Sequence, residues 1–220
     1  MKKTLIIVLS LFAFINSKAQ IEKGSNALGI NAGLGIGLSS TKYQSSNIFQ
    51  INVQPVFEHF VATNLSLGAA ITCGMQFENY ENNFSVSPYK SSYYTQNYAF
   101  ALQLKKYWFT GSKIGFTASP QLATTYSESN NHYNNLYNGS TNTSNYNYWY
   151  HSAMFNFGAV YFIKPNIAIE AQTNLLNYSY FPDKSNSSND QHVFTLLAFQ
   201  NSLTVGVKYI WGNNKSEVKP

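Results

Sequence analysis

Four histidines, one cysteine and a thin scatter of acids and lysines are the side chains of this 220-residue chain with chemistry to offer. His151 and Ser152 are adjacent, so on an extended strand they point to opposite faces and cannot form a nucleophile–base pair. His132 and His192 fall in what reads as two long loops and His59 in a short turn, with no carboxylate spacing that would gather metal ligands. Cys73 stands alone, which excludes an internal disulfide and a cysteine-based metal site. Asp183 and Asp190 bracket a Ser/Asn stretch without the ligand spacing of a calcium loop. This inventory predicts no catalytic residue, no bound metal and no cofactor. Glu58, Lys105, Glu170 and Lys208 are more informative, because a charge that is buried needs a partner. Whether they meet depends on the elements that carry them.

Composition narrows those elements. Charged residues are 10% of the chain against a usual ~25%, and aromatics, mostly Tyr and Phe, are 16%. Few charges, many aromatics and many neutral polar residues describe a wall with one face in lipid, although a soluble β-sandwich fits composition alone. No linker divides the chain, which reads as one domain. The formal charge is +5, but without Lys2, Lys3 and Lys18 of the leader 11 basic residues face 9 acidic ones. All the basic residues are scattered Lys, so a nucleic-acid partner is not expected.

Residues 1–19 read as a secretory signal peptide. Lys2 and Lys3 form its positive end, Leu5 to Ile15 its apolar core, and Ser17-Lys18-Ala19 supplies small residues at −3 and −1, so cleavage is expected after Ala19. The apolar run is too short for the ~20 residues of a spanning helix.

From residue 20 onward the dominant signal has period two. Leu28, Ile30, Ala32, Leu34, Ile36 and Leu38 alternate with Gly29, Asn31, Gly33, Gly35, Gly37 and Ser39. The same pattern predicts eight amphipathic strands, at about 27–39, 49–58, 65–78, 94–107, 114–126, 148–162, 167–180 and 194–211. Pro55 and Pro120 each remove a ladder hydrogen bond, so a bulge or local break is expected at each.

The character of the two faces decides the solvent. The Gly, Ser, Gln and Asn set cannot form a hydrophobic core, but it suits the tight interior of an eight-stranded barrel. The apolar set, Cys73 included, then faces lipid, and a bilayer forbids an open sheet edge. The fold class expected is all-β: a closed, up-and-down, eight-stranded antiparallel transmembrane β-barrel. Connections alternate between short turns, near 110–113 and 164–166, and long loops at about 40–48, 79–93, 127–146 and 181–192. Short turns belong to the periplasmic side and long loops outside. Phe57, Phe60, Tyr107, Trp108, Phe109, Tyr161, Phe162, Tyr209 and Trp211 are expected in a periplasmic aromatic girdle, and Tyr93, Tyr94, Tyr126, Tyr148, Trp149, Tyr178 and Tyr180 in an outer one. By the same alternation Glu58, Lys105, Glu170 and Lys208 all point inward near the periplasmic end.

With these segments placed, the chain resembles the small outer-membrane barrel domains of the OmpX-like, OmpA-like and PorT-like type. The resemblance rests on the strand–turn–strand from Pro55 to Gly68, on Lys164 to Ala171 with the same turn grammar, and on the aromatic-ended last strand, Leu203 to Trp211. The polar tail 212–220 after that strand departs from the pattern. The resemblance implies residence in the cell outer membrane, contact with its lipid and assembly by barrel-insertion machinery.

Two function classes remain open. One is a structural or surface-interaction barrel that meets a surface ligand or envelope protein through its long external loops. The other is a transport or secretion-accessory barrel acting through its lumen or periplasmic face. A lipid A-modifying enzyme is the third and weakest, since no nucleophile–base pair is visible, and the chain is expected not to be an enzyme.

Overall fold

A computed structural model describes residues 21–83, 88–182, 190–196 and 203–212. The leader, its cleavage site after Ala19, Asp183 and the tail from residue 213 lie outside the described residues. The described chain is all β, in nine segments: β1 Asn26–Ser40, β2 Gln44–Ala62, β3 Leu65–Asn82, β4 Tyr89–Phe109, β5 Ile114–Asn135, β6 Thr141–Lys164, β7 Ile167–Phe181, β8 Gln191–Leu196 and β9 Thr204–Trp211. Sequential neighbours pair antiparallel from β1 to β7, β7 pairs β9, and β9 returns to β1. The sheet therefore closes on itself with eight staves, β8 and β9 forming the upper and lower parts of the last one.

Of the expected last strand 194–211, β8 and β9 are described, and residues 197–202 lie outside the described residues. Between the Gln172↔Thr204 and Leu176↔Leu196 pairs, β7 advances four residues and the last stave eight, so β8 and β9 meet β7 in different registers.

The faces follow the alternation. Leu28, Ile30, Leu34 and Ile36 on β1 are 55–67% exposed, while Ala27, Gly29, Asn31 and Gly33 between them are buried. The same apolar-out, polar-in order runs around the ring, and Cys73 lies on the exposed outer face. No described helix is long and apolar enough to cross a membrane, so any crossing falls to the strands. Each backbone donor and acceptor of a closed ring finds a partner in the sheet, which is the condition hydrocarbon imposes.

Turns at one end are tight. Asn64 takes φ 58° between β2 and β3 and its side chain accepts from the Ile21 amide at 2.7 Å. Residues 21–25 tuck beneath this end, with Gly24 N–H donating to Phe60 O and Phe60 N–H to Ser25 O, both 2.8 Å. Pro55 and Pro120 break ladders locally without a bulge. Val53↔Cys73 and Val56↔Ala70 keep one register across the gap at Pro55, as Gln103↔Gln121 and Lys106↔Ala118 do across Pro120. Real bulges occur at Val61, Leu175 and Ile163.

At the other end three of the expected long loops are largely strand where they are described, while most of the fourth, residues 183–189, lies outside the described residues. β5 and β6 run on through 127–146 as a hairpin whose tip is only 136–140, with Gly139 at φ 70°. β1 and β2 likewise join across 41–43, and β3 and β4 extend to Asn82 and Tyr89. His132 and His192 therefore stand on β5 and β8 rather than in loops, and His59 on β2 rather than in a turn. A run of Asn, Ser and Tyr has no apolar contrast between faces, so its alternation is invisible in sequence.

Candidate functional site

The lumen is filled in layers. Lowest is an apolar floor of Ala27, Phe60, Tyr107, Phe109, Val160, Phe162 and Ala168, capped by Ile21. Phe60 and Tyr107 lie 5.6 Å apart between ring centroids, and Phe109 and Phe162 likewise 5.6 Å. These four rings were expected in the periplasmic girdle and are instead interior. They share the inward register of Glu58, Lys105 and Val160 by even spacing, a signal that nearness to a turn had masked. Phe57, Tyr161, Tyr209 and Trp211 do face outward. In the outer set, Tyr93 and Tyr148 lie on the inner register, opposite Glu78 and Ser127, whereas Tyr94, Tyr126 and Trp149 face out.

Directly above the floor, the four interior charges meet. Lys208 Nζ lies 2.8 Å from Glu58 Oε1 and 2.8 Å from Glu170 Oε2, and Lys105 Nζ lies 2.8 Å from Glu170 Oε1 and 3.3 Å from Glu58 Oε1. The four side chains are 0–4% exposed. Two lysines and two glutamates alternate, so the tetrad is neutral and each charge touches two of opposite sign. Neutral donors complete the carboxylates: Tyr107 Oη at 2.6 Å and Ser66 Oγ at 3.1 Å to Glu58 Oε2, Gln103 Nε2 at 3.1 Å to Glu58 Oε1, and Thr117 Oγ1 at 3.3 Å to Glu170 Oε1. Tyr107 Oη also accepts from Lys208 Nζ at 2.7 Å. This is the full hydrogen bonding that makes buried charge tolerable.

Room for the tetrad comes from glycine. A Cβ on Gly68 would stand 2.9 Å from Phe57 O and 3.0 Å from Glu58 Cγ, and one on Gly158 would stand 2.6 Å from Ala171 O and 2.8 Å from Thr117 Oγ1. Glu58, Lys105, Glu170 and Lys208 come from β2, β4, β7 and β9. Tyr107, Ser66, Gln103 and Thr117 were not anticipated as their partners.

Beyond the tetrad lie Val56, Ala70, Ala101 and Ala123, then a cavity of about 260 Å³ lined by amides and hydroxyls, among them Gln50, Asn52, Gln54, Asn97, Gln121 and Asn177. Links such as Asn156 Nδ2 to Gln121 Oε1 at 2.9 Å and Gln54 Nε2 to Thr72 Oγ1 at 3.0 Å hold its wall. It is a vestibule separated from the tetrad by that apolar layer.

The other candidate region stands above the barrel. β4, β5 and β6 have 21, 22 and 24 residues, whereas a tilted strand crosses a bilayer in ~9–11. About half of each projects. Tyr80, Tyr89 and Tyr133 form a row across β3, β4 and β5 at 5.7 and 5.1 Å between centroids. Loss of solvent and the Tyr89 hydroxyl push the Tyr80 phenol up. β6 pairs with β7 only from His151 onward, so Thr141–Tyr150 has β5 on one side and, among the described residues, no strand on the other. This edge, TNTSNYNYWY, carries no charge and no proline, the devices that usually blunt an exposed edge.

His59, His132 and Ser152 each stand apart from the other histidines' rings. Ser152 is buried in the lumen and His151 exposed outside. His59 Nδ1 contacts Asn26 Oδ1 at 2.8 Å, and His132 Nδ1 contacts Thr143 Oγ1 at 3.2 Å. Among the described residues no three His, Cys, Asp or Glu side chains could hold a metal ion.

No family model matches the chain, and no curated protein matches it either. Solved structures similar to it are small outer-membrane proteins. The attachment invasion locus protein Ail of Yersinia pestis is 11% identical over 86% of this chain and 99% of its own, with a TM-score of 0.38. OprG of Pseudomonas aeruginosa is 10% identical over 90% and 100%, at 0.43. A major outer membrane protein of Thermus thermophilus is 13% identical over 84% and 99%, at 0.45. Likeness at this level carries no inference about activity; the barrel architecture stands on the ring closure and the two faces of this chain itself.

Proposed function

We propose that the chain is an integral outer-membrane barrel that works at the cell surface, through its projecting sheet rather than through its lumen. The leader supports export, and the apolar outer wall around a polar interior supports a bilayer as its solvent. The outward Tyr209 and Trp211 at the end of the last stave suit recognition by barrel-insertion machinery. The observation that carries the surface reading is the open edge Thr141–Tyr150. Among the described residues no strand pairs with this edge, so its N–H and C=O groups offer a template on which an extended partner segment, from a surface ligand or envelope protein, can add as a further strand. The transport reading is disfavoured by the floor and tetrad, which close the lumen at its periplasmic end.

Two measurements test this. Folded protein in planar bilayers should show no discrete conductance. Asn145→Lys with Asn147→Lys, which charges the edge without touching the barrel, should abolish cell-surface binding that the parent protein confers. Stable single-channel steps, or surface binding unchanged in the lysine variant, would replace this reading with the transport one.

A further inference from the structure

The β7 bulge re-aims two tyrosines. Below it Ala168, Glu170 and Gln172 point inward, and continued alternation would send Tyr178 and Tyr180 inward as well. Leu175 has no partner on β6, since Asn156 pairs with Asn174 and Phe155 with Leu176. This one extra residue turns Asn177 and Ser179 inward and Tyr178 and Tyr180 out. Bulges commonly redirect side chains beside functional sites. β8 follows the shift, pairing Tyr178↔Phe194 and Tyr180↔His192. The result on the outer wall is a shelf of stacked rings: His151 and Tyr180 at 6.2 Å, Tyr180 and His192 at 5.1 Å, and Tyr178 and His192 at 6.0 Å. Thr124 Oγ1 lies 3.0 Å from His151 Nδ1, Tyr178 Oη 2.7 Å from His192 Nδ1, and Tyr180 Oη 2.7 Å from Asp190.

Beside this shelf the wall is concave. Ala153 is small between Phe100, Leu102 and Leu122 on one side and Tyr178 and Tyr180 on the other, and the groove they form with His151 and His192 measures about 670 Å³. That lies within the ~300–1,000 Å³ of ligand sites.

We propose that this groove binds one acyl chain of an outer-leaflet lipid, with its ester and phosphate region lying across the His151–Tyr180–His192 shelf. The inference rests on the bilayer placement proposed above. The groove is continuous with the lipid-facing wall, so its natural occupant is a lipid chain. Its lower lining of Phe100, Leu102, Leu122 and Ala153 suits methylenes. Its upper lining pairs apolar ring faces with polar tips, the character of residues at headgroup depth. Each imidazole spends Nδ1 within the shelf, so when Tyr178 or Thr124 donates to it, Nε2–H is left to donate outward to an ester or phosphate oxygen.

The test is photolabelling of the full mature chain in vesicles of phosphatidylethanolamine and phosphatidylglycerol that contain a trace of phosphatidylethanolamine with a diazirine acyl chain. Adducts should fall several-fold more often on Phe100, Leu122 and Tyr178 than on Leu34 and Ile51 of the opposite wall. Ala153→Phe, which fills the groove, should bring them down to the Leu34 level in a barrel that still migrates as heat-modifiable. Tyr178→Ala removes one wall without adding bulk and should do the same to adducts on Phe100, so a folding defect in the first variant does not decide the matter. Equal labelling all round the wall in the parent protein overturns the groove while leaving the barrel in the bilayer. Absence of labelling anywhere on the wall overturns the bilayer placement itself.

Discussion

Replacing Lys208 by Met should be among the most damaging single changes this barrel can suffer. Lys208 Nζ touches Glu58 and Glu170 at 2.8 Å each, so its loss leaves two carboxylates sharing Lys105 alone, at 3.3 and 2.8 Å, with one uncompensated negative charge. Breaking a buried pair from one side costs about 3–5 kcal/mol. Ser66, Gln103, Tyr107 and Thr117 still donate to the carboxylates, which keeps the loss toward the lower end of that range. Glu170→Gln made together with Lys208→Met restores neutrality, so the pair should cost less than the sum of its parts. Contacting residues couple by ~0.5–3 kcal/mol, and a shared buried charge belongs at the upper end. The assay is urea unfolding from phospholipid vesicles followed by tryptophan fluorescence for the parent, both single variants and the double. The slope with urea should stay constant, since the surface exposed on unfolding is unchanged. Wild-type stability should depend little on added salt, because charges out of reach of solvent are weakly screened. Additivity within about 0.5 kcal/mol would refute the coupling.

Other consequences can be checked on the same preparation. Tyr107→Phe removes a hydroxyl bonded to Glu58 at 2.6 Å and Lys208 at 2.7 Å and should cost about 1.5–3 kcal/mol in that unfolding assay. Gly206→Ala should lower stability by about 1–3 kcal/mol, because the added Cβ would collide with the Asn31 side chain and stand 2.6 Å from Ile30 O. Cys73 should resist a membrane-impermeant thiol reagent in intact vesicles and react after detergent solubilisation; rapid labelling in vesicles would show that the outer face of β3 is in water. Replacing residues 129–146 by a short Gly/Ser turn should leave a heat-modifiable barrel with near-parental unfolding, since the β5–β6 ladder continues below Glu128↔Asn147; failure to fold would show that the projecting hairpin supports the ring.

Alternation of side chains decided most of the architecture before any coordinates. Leu28 to Leu38 against Gly29 to Ser39 specifies a strand, its two faces and its lipid side, because a pleated chain has period two whatever surrounds it. The inward aim of Glu58, Lys105, Glu170 and Lys208 follows from that local rule, as does the outward aim of Cys73. What alternation cannot carry is height. Strand tilt and ladder register bring β2, β4, β7 and β9 to one level, and only there do the four charges become a tetrad with Tyr107 and Thr117 as partners. Alternation also fails where it has no contrast, so the Asn/Tyr/Ser runs that continue β5 and β6 looked like loop, and the β6 edge that no described strand covers could not be read from them. It fails again where the count slips. One extra residue at Leu175 reverses the side chains that follow it on β7, and β8 and β9 meet β7 in different registers. Period and polarity are written residue by residue, but register is a relation between strands far apart in the chain, and it was settled only when the ring closed.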